Sequence, residues 1–349
     1  MSPQLNIAVV GAGMSGVVCA RTLLQAGHRV TVFEKNAEPG GRMATSPSHF
    51  GGFDHGTQYF TVRDARFERA LKTAPGLCKP WSATTVRVLD SEGRVAAAGL
   101  PARESHWVPA PGMNALLKHW AEPLVAAGGL RLATQVLSVE RDALKPSGWQ
   151  LRTEGEFDAK QVYSGFDVVI LALPAPLASQ LLQETVPASR MTRQIEQVTM
   201  APCWTLMLAF PQAMQPGLSS LGPQWNAARS THHRLAWLAR ESSKPGRDSV
   251  ERWTAQASAA WSQEHLQDDP QRVHAKLLKA FSEVTHIRAE PSFSSVHRWR
   301  YAQTTQALGA SHLWDAALNI GLCGDWCLGH RVENAFVSGL ELALAIHQR

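Results

Sequence analysis

Three glycines near the start of the chain have the spacing of a dinucleotide-binding turn. Gly11, Gly13 and Gly16 form a Gly-x-Gly-x-x-Gly motif between an apolar run and a helical pattern. The first glycine allows a tight turn, the second lets the backbone approach a pyrophosphate, and the third permits close helix packing. Glu34 ends the next apolar run, where a carboxylate binds ribose hydroxyls and repels a 2′-phosphate. The pattern predicts an NAD or FAD site without separating the two, and the alternative is an accidental glycine-rich turn.

A second glycine-rich segment, EPGGR at 38–42, follows Glu34 closely. Its two glycines expose backbone amides, and Arg42 offers a bidentate fork for a phosphate or for the edge of a ring. This order of motifs favours a flavin dinucleotide. The alternative is a loop with a pair of glycines and a surface arginine.

Near the end of the chain, Gly324 and Asp325 close an apolar strand before the last helix. Ala335, Gly339 and Ala343 recur every four residues, which gives this helix one face of small side chains. Such a face predicts close approach to a sheet or a cofactor. Asp325 is either a cofactor ligand or only an N-cap.

From the GGR segment onward, the sequence resembles the flavin amine oxidase superfamily. It is more specifically similar to the bacterial members of the renalase-type branch. The segments that carry this similarity are GGRM at 40–43, FDHGTQYFTVRD at 53–64, HRWRYA at 297–302, GDW at 324–326 and GHRVE at 329–333. The resemblance implies an α/β fold with a Rossmann-type FAD-binding domain like that of p-hydroxybenzoate hydroxylase, a mixed-sheet α+β substrate domain, and non-covalent FAD.

The resemblance also implies an activity, namely oxidation of the 2- and 6-dihydro isomers of NAD(P)H to NAD(P)+. The partners would be this small-molecule dinucleotide substrate and O2, which is reduced to hydrogen peroxide. In the superfamily the aspartate matching Asp325 bonds the flavin ribityl chain, and the last helix points its positive end at the pyrimidine edge, where reduction places negative charge. The expected FAD contacts are Gly11, Gly13, Met14, Ser15, Gly16, Glu34, Lys35, Gly41, Arg42, Met43, Thr57, Gln58, Tyr59, Val136, Gly324, Asp325, Arg331, Val332, Glu333 and Ala335.

A strand at 296–301 is the candidate substrate wall. Alternation places His297, Trp299 and Tyr301 on one face and two arginines on the other. An aromatic face can stack a planar nicotinamide, although His297 and Trp299 could equally be core. A dihydropyridine gives up hydride without a protein base, so no general base is named. The catalytic candidates, by proximity, are Thr57, Tyr59, His297 and Trp299.

Two other functions fit parts of the sequence. An amine oxidase commonly frames its substrate between two aromatic side chains, often tyrosines, but the chain has three tyrosines and only Trp326 near the C-terminal motif. Tryptophans could replace them. A non-catalytic binding protein on the same fold, like the GDP-dissociation inhibitors, would not need the complete set of cofactor residues.

The elements that must position these residues follow from hydrophobic periodicity. Residues 5–34 predict a βαβ unit, 39–59 an extended loop, 84–100 a hairpin and 334–346 a closing helix. A helix opening at Pro111 is expected to kink or end at Pro123. Further expected elements are one strand at 131–142, a strand pairing with it at 149–154, a buried strand at 168–174, strands at 204–210 and 234–240, and helices at 255–264 and 273–281.

Length and composition limit the remaining possibilities. The length of 349 residues, 44% of them hydrophobic, predicts a protein with two lobes. We expect an FAD-binding domain from 1–72, 106–182 and 312–349 and a substrate domain from 73–105 and 183–311. Five cysteines without a CxxC pair, dispersed basic residues, and the lack of a secretory signal or long apolar run predict a cytoplasmic protein. No nucleic acid, membrane, protein partner or metal is expected.

Overall fold

The computed structural model describes residues 3–81, 87–97, 104–214 and 225–348. The helices are α1 (Met14–Gln25), α2 (Ala65–Leu71), α3 (Ala115–Ala126), α4 (Ala175–Thr185), α5 (Arg190–Ile195), α6 (Ala259–Glu264), α7 (Pro270–Thr285) and α8 (Val332–His347). The strands are β1 (Asn6–Val10), β2 (Arg29–Phe33), β3 (Cys78–Trp81), β4 (Arg87–Leu89), β5 (Val95–Ala97), β6 (His106–Pro109), β7 (Leu130–Arg131), β8 (Gln135–Arg141), β9 (Trp149–Glu154), β10 (Lys160–Phe166), β11 (Val168–Leu171), β12 (Thr199–Phe210), β13 (Ala227–Ser230), β14 (Leu235–Arg240), β15 (Glu251–Ala257), β16 (Phe293–Gln306), β17 (Leu313–Asp315) and β18 (Ile320–Leu322).

A largely parallel sheet with the strand order β17-β18-β11-β1-β2-β7 forms the Rossmann-type half. The predicted βαβ unit is confirmed, because β1 pairs in parallel with both β2 and β11 and α1 begins at Met14. All four residues of β11 are buried, as its continuous apolar sequence predicts. The carboxyl ends of β1 and β2 therefore carry the glycine turn and Glu34 at the same edge of the sheet.

The small-residue face of α8 packs against α1. A methyl group added at Gly339 would lie 2.2 Å from the carbonyl oxygen of Ser15, so only glycine allows this approach. Ala335 and Ala343 are buried beside it. This contact brings the N-termini of α1 and α8 to the same region of the molecule.

A second, seven-stranded mixed sheet has the order β16-β12-β15-β14-β13-β4-β5. Its core contains Trp253 and Phe281, whose ring centroids are 5.9 Å apart, with α7 supplying Phe281. Only β13 and β4 pair in parallel, while the other neighbours are antiparallel. The expected mixed sheet is therefore present.

Two smaller sheets complete the architecture. One has the order β10-β9-β8, as predicted for the pairing of 149–154 with the preceding strand. The other joins β3 to β6, two strands that fall on opposite sides of the expected boundary near residue 105. Within the described ranges, no helix is long and apolar enough to cross a membrane.

Three details differ from the sequence-based expectations, and a fourth element lies only partly within the described residues. The helix α3 continues through Pro123 to Ala126, because its buried residues anchor the helix on both sides of the proline. The single strand expected at 131–142 is divided between the end of β7 at Arg131 and β8, which ends at Arg141. The expected helix at 255–264 begins only at Ala259, because Ser258 caps it and residues 251–257 form strand β15 of the seven-stranded sheet. Of the hairpin at 84–100, β4 and β5 pair as predicted, while 84–86 and 98–100 lie outside the described residues.

Candidate active site

A cavity of about 1990 Å³ is lined by residues of both large sheets. Small-molecule sites usually occupy ~300–1,000 Å³, so this cavity has room for a dinucleotide and a second ligand. The expected site residues that line it are Gly11, Gly13, Met14, Ser15, Glu34, Lys35, Gly41, Arg42, Met43, Thr57, Gln58, Tyr59, Val136, His297, Trp299, Gly324, Asp325, Arg331, Val332 and Ala335.

Two expected cofactor residues, Gly16 and Glu333, do not line the cavity. A methyl group at Gly16 would lie 1.9 Å from the carbonyl oxygen of Gly11, so this glycine serves the close packing that the motif predicts. Glu333 is 6% exposed and accepts hydrogen bonds from the backbone N–H groups of Arg63 and Asp64. It therefore ties the beginning of α8 to the loop before α2.

The Glu34 carboxylate fixes the glycine turn. Its Oε2 accepts a hydrogen bond of 2.8 Å from the backbone N–H of Ala12. Its Oε1 accepts bonds of 2.9 and 2.7 Å from the backbone and side-chain nitrogens of Asn36. Glu34 is thus held rigidly at the cavity wall, where its role toward a ribose stays a prediction.

Arg42 and Asp325 form a two-point ion pair across the cavity wall. Arg42 Nη1 donates to Asp325 Oδ2 at 2.9 Å, and Nη2 donates to Oδ1. Thr304 Oγ1 adds a 3.1 Å bond to the same carboxylate, and Arg42 Nη1 also reaches the carbonyl of Ala302. The fork expected for a phosphate or ring edge therefore joins the GGR loop to the Gly-Asp segment and to β16.

Three rings line one wall of the cavity. The ring centroid of His297 lies 4.6 Å from that of His55 and 4.4 Å from that of Trp299. The Trp299 indole Nε1 donates a 2.9 Å hydrogen bond to the carbonyl of His55, which fixes the indole. Sequence reasoning proposed His297 and Trp299 but not His55, although His55 lies in the FDHGTQY segment that carried the resemblance.

Both histidines of this wall favour the neutral form. Burial, with the neighbouring His55 and Lys35, lowers the pKa of His297 to about 4. Burial likewise lowers the pKa of His55 below its ordinary value, despite the nearby carboxylate of Asp54. The wall is therefore aromatic and uncharged at neutral pH.

Tyr59 and the residues before it form another part of the cavity lining. The Tyr59 ring stacks on His106 at 3.9 Å and lies 5.8 Å from Trp237. Thr57 donates its backbone N–H to the carbonyl of Arg42 at 2.8 Å. These contacts fix the position of the loop, so both side chains belong to a rigid wall.

A buried cluster of charges lies directly behind this loop. Lys244 Nζ contacts Asp54 Oδ2 at 3.1 Å and Glu241 at 3.0 Å, and Arg247 Nη2 contacts Asp54 Oδ2 at 2.7 Å. The side chains of Lys244, Asp54 and Glu241 are all 0% exposed. Lys244 also donates to Gln58 Oε1 at 3.3 Å, which links the cluster to the cavity.

The two carboxylates of the cluster respond differently to burial. Although burial alone would raise it, Lys244 and Arg247 hold the pKa of Asp54 well below its ordinary value. Burial raises the pKa of Glu241, and the negative charge of Asp54 adds to this effect. Sequence reasoning missed the cluster, because Lys244 lies 190 residues from Asp54.

Comparison with known families identifies the class of protein. Residues 9–73 match the NAD(P)-binding Rossmann-like domain, and residues 99–347 match the family described as flavin containing amine oxidoreductase. The chain belongs to the flavin containing amine oxidoreductase family. Membership of this family implies a flavin cofactor.

Curated relatives of this chain align over limited segments. The bifunctional protein MnmC of tRNA 5-methylaminomethyl-2-thiouridine biosynthesis from Magnetococcus marinus is 24% identical over 55% of this chain and 33% of its own length. A 4,4'-diapophytoene desaturase from Staphylococcus haemolyticus is 45% identical over 20% of this chain and 14% of its own. The chain thus spans a third or less of these relatives.

Solved structures match this chain over almost its whole length. Cyclohexylamine oxidase from Brevibacterium oxydans superposes with a TM-score of 0.72 at 15% identity, covering 99% of both chains. A triple mutant of putrescine oxidase superposes with a TM-score of 0.70 at 14% identity, covering 98% of both. These similarities show the shared fold.

The cavity fits a dinucleotide cofactor. A methyl group at Gly13 would lie 4.0 Å from its nearest neighbour, the Cα of Gly41, so Gly13 exposes bare backbone with space above it. The beginnings of α1 and α8 both line the cavity, and helix N-termini attract anions. No cluster of His, Cys, Asp or Glu suited to a metal occurs among the described residues.

Proposed function

We propose that the protein is an FAD-dependent oxidase of the renalase type that converts the 2- and 6-dihydro isomers of NAD(P)H to NAD(P)+. FAD would supply the two-electron acceptor and pass the electrons to O2, which gives hydrogen peroxide. The observation that carries the proposal is the uncharged wall of His55, His297 and Trp299. We place this reaction between an FAD-binding domain from 1–72, 106–182 and 312–349 and a substrate domain from 73–105 and 183–311.

The residues that would hold FAD divide by the part of the cofactor they suit. The turn at Gly11 and Gly13 leaves room for the pyrophosphate, and Glu34 suits the adenosine ribose. Asp325, held by Arg42, suits the ribityl hydroxyls, and the beginning of α8 suits the pyrimidine edge. Each of these groups is fixed by protein contacts, so the site is formed before the cofactor binds.

Non-covalent attachment of FAD is supported by the positions of the cysteines. Cys203, on the substrate sheet, lines the cavity, and Cys19, Cys78, Cys323 and Cys327 do not. Burial raises the pKa of Cys203 to about 11, which keeps the thiol protonated and unreactive. The chain therefore offers no activated thiol to the cofactor.

The uncharged wall suits a dihydropyridine because of how charge develops on this substrate. The ring is neutral before reaction and becomes a pyridinium cation as hydride leaves. A neutral imidazole does not repel this cation, and the face of Trp299 attracts it through its ring quadrupole. The wall therefore favours the transition state over the bound substrate, and the fixed rings orient the reacting carbon.

The rate of cofactor reduction by substrate should be nearly independent of pH between about 8 and 5.5. His297 is neutral above a pKa of about 4, so its imidazolium form, which would repel the pyridinium, becomes populated only at lower pH. Burial lowers the pKa of His55 as well, and the Trp299 indole does not titrate, so neither group favours a positive charge beside the substrate. Rapid-mixing measurements across this range would check the profile, and an inflection near 6.5 would contradict it.

The products test the proposed function directly. Under air, the purified holoenzyme should convert a mixture of 2- and 6-dihydro-NAD to NAD+ and release one hydrogen peroxide for each NAD+ formed. Ordinary NADH serves as the control, because its hydride occupies a different ring position. NAD+ formation without peroxide would exclude O2 as the acceptor, and no NAD+ from either isomer would reject the proposal.

An amine oxidase is the second candidate, and one observation favours it. Tyr59 and Trp237 line the same cavity with ring centroids 5.8 Å apart, so a tyrosine and a tryptophan form an aromatic pair there. Peroxide release from a panel of primary and secondary amines, with none from the dihydro isomers, would favour this alternative.

A further inference from the structure

Five residues form a continuous row across the seven-stranded sheet. Arg229 on β13 lies opposite Trp237 on β14, and Trp237 lies opposite Gln256 on β15. Gln256 lies opposite Thr205 on β12, and Thr205 lies opposite His297 on β16. Directly opposed residues of antiparallel strands project from the same face of a sheet. With neighbouring strands ~4.8 Å apart, the row extends over about 19 Å.

This row forms one side of the cavity. Arg229, Trp237, Gln256 and His297 all line the cavity, and Thr205 is fully buried between the last two. The row therefore begins at the uncharged wall of His297 and continues away from it along the cavity. Gln256 is held in place by a 2.6 Å hydrogen bond from its Nε2 to the carbonyl of Gly56.

The two ends of the row differ in charge. His297 is neutral, whereas Arg229 is exposed, carries a permanent charge, and takes part in none of the ion pairs found within residues 3–81, 87–97, 104–214 and 225–348. A guanidinium turned toward a cavity without a carboxylate partner is suited to an anion.

The middle of the row carries an unused hydrogen-bond donor. Trp237 Nε1 is buried and has no acceptor in the described part of the chain. Because an unpaired buried donor costs stability, such a group is commonly satisfied by a ligand or a water. Trp237 thus offers both an aromatic face and an N–H group between the two ends of the row.

We propose that a nucleotide substrate binds lengthwise along this row, with Arg229 holding a phosphate and His297 lying at the nicotinamide end. The inference rests on the proposed function and extends it, because it names the part of the substrate that gives affinity. A phosphate accepts two parallel hydrogen bonds from a guanidinium. An alkylammonium substrate gains nothing from this end of the row and is repelled by it.

The test is the binding of oxidised product to the holoenzyme, measured by titration calorimetry. Replacing Arg229 with Gln should weaken binding of NAD+ by about 10- to 100-fold, as expected for loss of hydrogen bonds to a charged group. Binding of nicotinamide riboside, which lacks phosphate, should not change. Arg193→Gln is the matched control, since Arg193 is also exposed but lies on α5 and outside the cavity. It should leave both affinities unchanged.

Two outcomes would overturn the inference. Equal weakening of NAD+ and nicotinamide riboside would show a structural effect rather than phosphate binding, and unchanged NAD+ binding would exclude Arg229 as the anion site. Failure of the proposed function is distinguishable from both, since the wild-type enzyme would then not oxidise the dihydro isomers at all. In turnover, Arg229→Gln should raise KM and leave kcat unchanged, because the phosphate is remote from the reacting ring.

Discussion

Replacing Lys244 with Met should lower the free energy of unfolding by about 3–5 kcal/mol, the cost of removing one partner from a buried ion pair. The Lys244 ammonium contacts Asp54 and Glu241, and none of the three side chains is exposed. Methionine nearly matches the shape of lysine but leaves both carboxylates without this cation. Arg247 still compensates Asp54, so Glu241 should become fully protonated in the variant.

Urea unfolding monitored by tryptophan fluorescence would measure this effect. Lys160→Met is the matched control, because Lys160 is exposed and its replacement should change the unfolding free energy by less than about 0.5 kcal/mol. If the two variants were equally stable, the cluster would not contribute to the stability of the loop that carries Gln58 and Tyr59.

Replacing Gly13 with Ala should weaken FAD binding by about 10- to 100-fold while leaving the apoprotein as stable as before. The added methyl group would find no atom closer than 4.0 Å in the protein, so the fold accommodates it. It would instead occupy the space where the backbone approaches the pyrophosphate, and overpacking of this kind costs about 1–3 kcal/mol. FAD titration of the apoprotein by fluorescence quenching would measure the affinity.

Two other glycines complete the Gly13 experiment. Gly155→Ala is the control, because its methyl group would meet the nearest atom at 3.6 Å and Gly155 does not line the large cavity. Gly16→Ala should destabilise the apoprotein, since its methyl group would lie 1.9 Å from the Gly11 carbonyl oxygen. Unchanged FAD affinity in Gly13→Ala would exclude this turn as the pyrophosphate site.

Local features of the sequence were sufficient to predict the cofactor half of the fold. The glycine motif, the run at 168–174 and the small residues of α8 each depend on neighbours within a few residues, and all form the predicted elements, although the strand in this run ends at Leu171. The alternation at 296–301 correctly placed His297 and Trp299 together, because side-chain direction in a strand follows its period of two.

Features that depend on distant pairing could not be predicted in this way. Arg42 and Asp325 are 283 residues apart, and nothing in either segment shows that the two will form an ion pair. The row from Arg229 to His297 requires the order and register of five strands. The helix expected at 255–264 begins only at Ala259 for a related reason, since pairing within the seven-stranded sheet overrides the local helical pattern as far as Ala257.

The most direct test of the central claim is anaerobic mixing of the holoenzyme with candidate reductants, followed by the absorbance of the oxidised cofactor. The account predicts rapid loss of this absorbance with 2- and 6-dihydro-NAD(P), and little or none with ordinary NADH or with primary and secondary amines. Loss of absorbance with amines alone would contradict it and make the protein an amine oxidase that uses the Tyr59 and Trp237 pair. Protein that takes up no flavin even when FAD is added would contradict the assignment of the cavity itself.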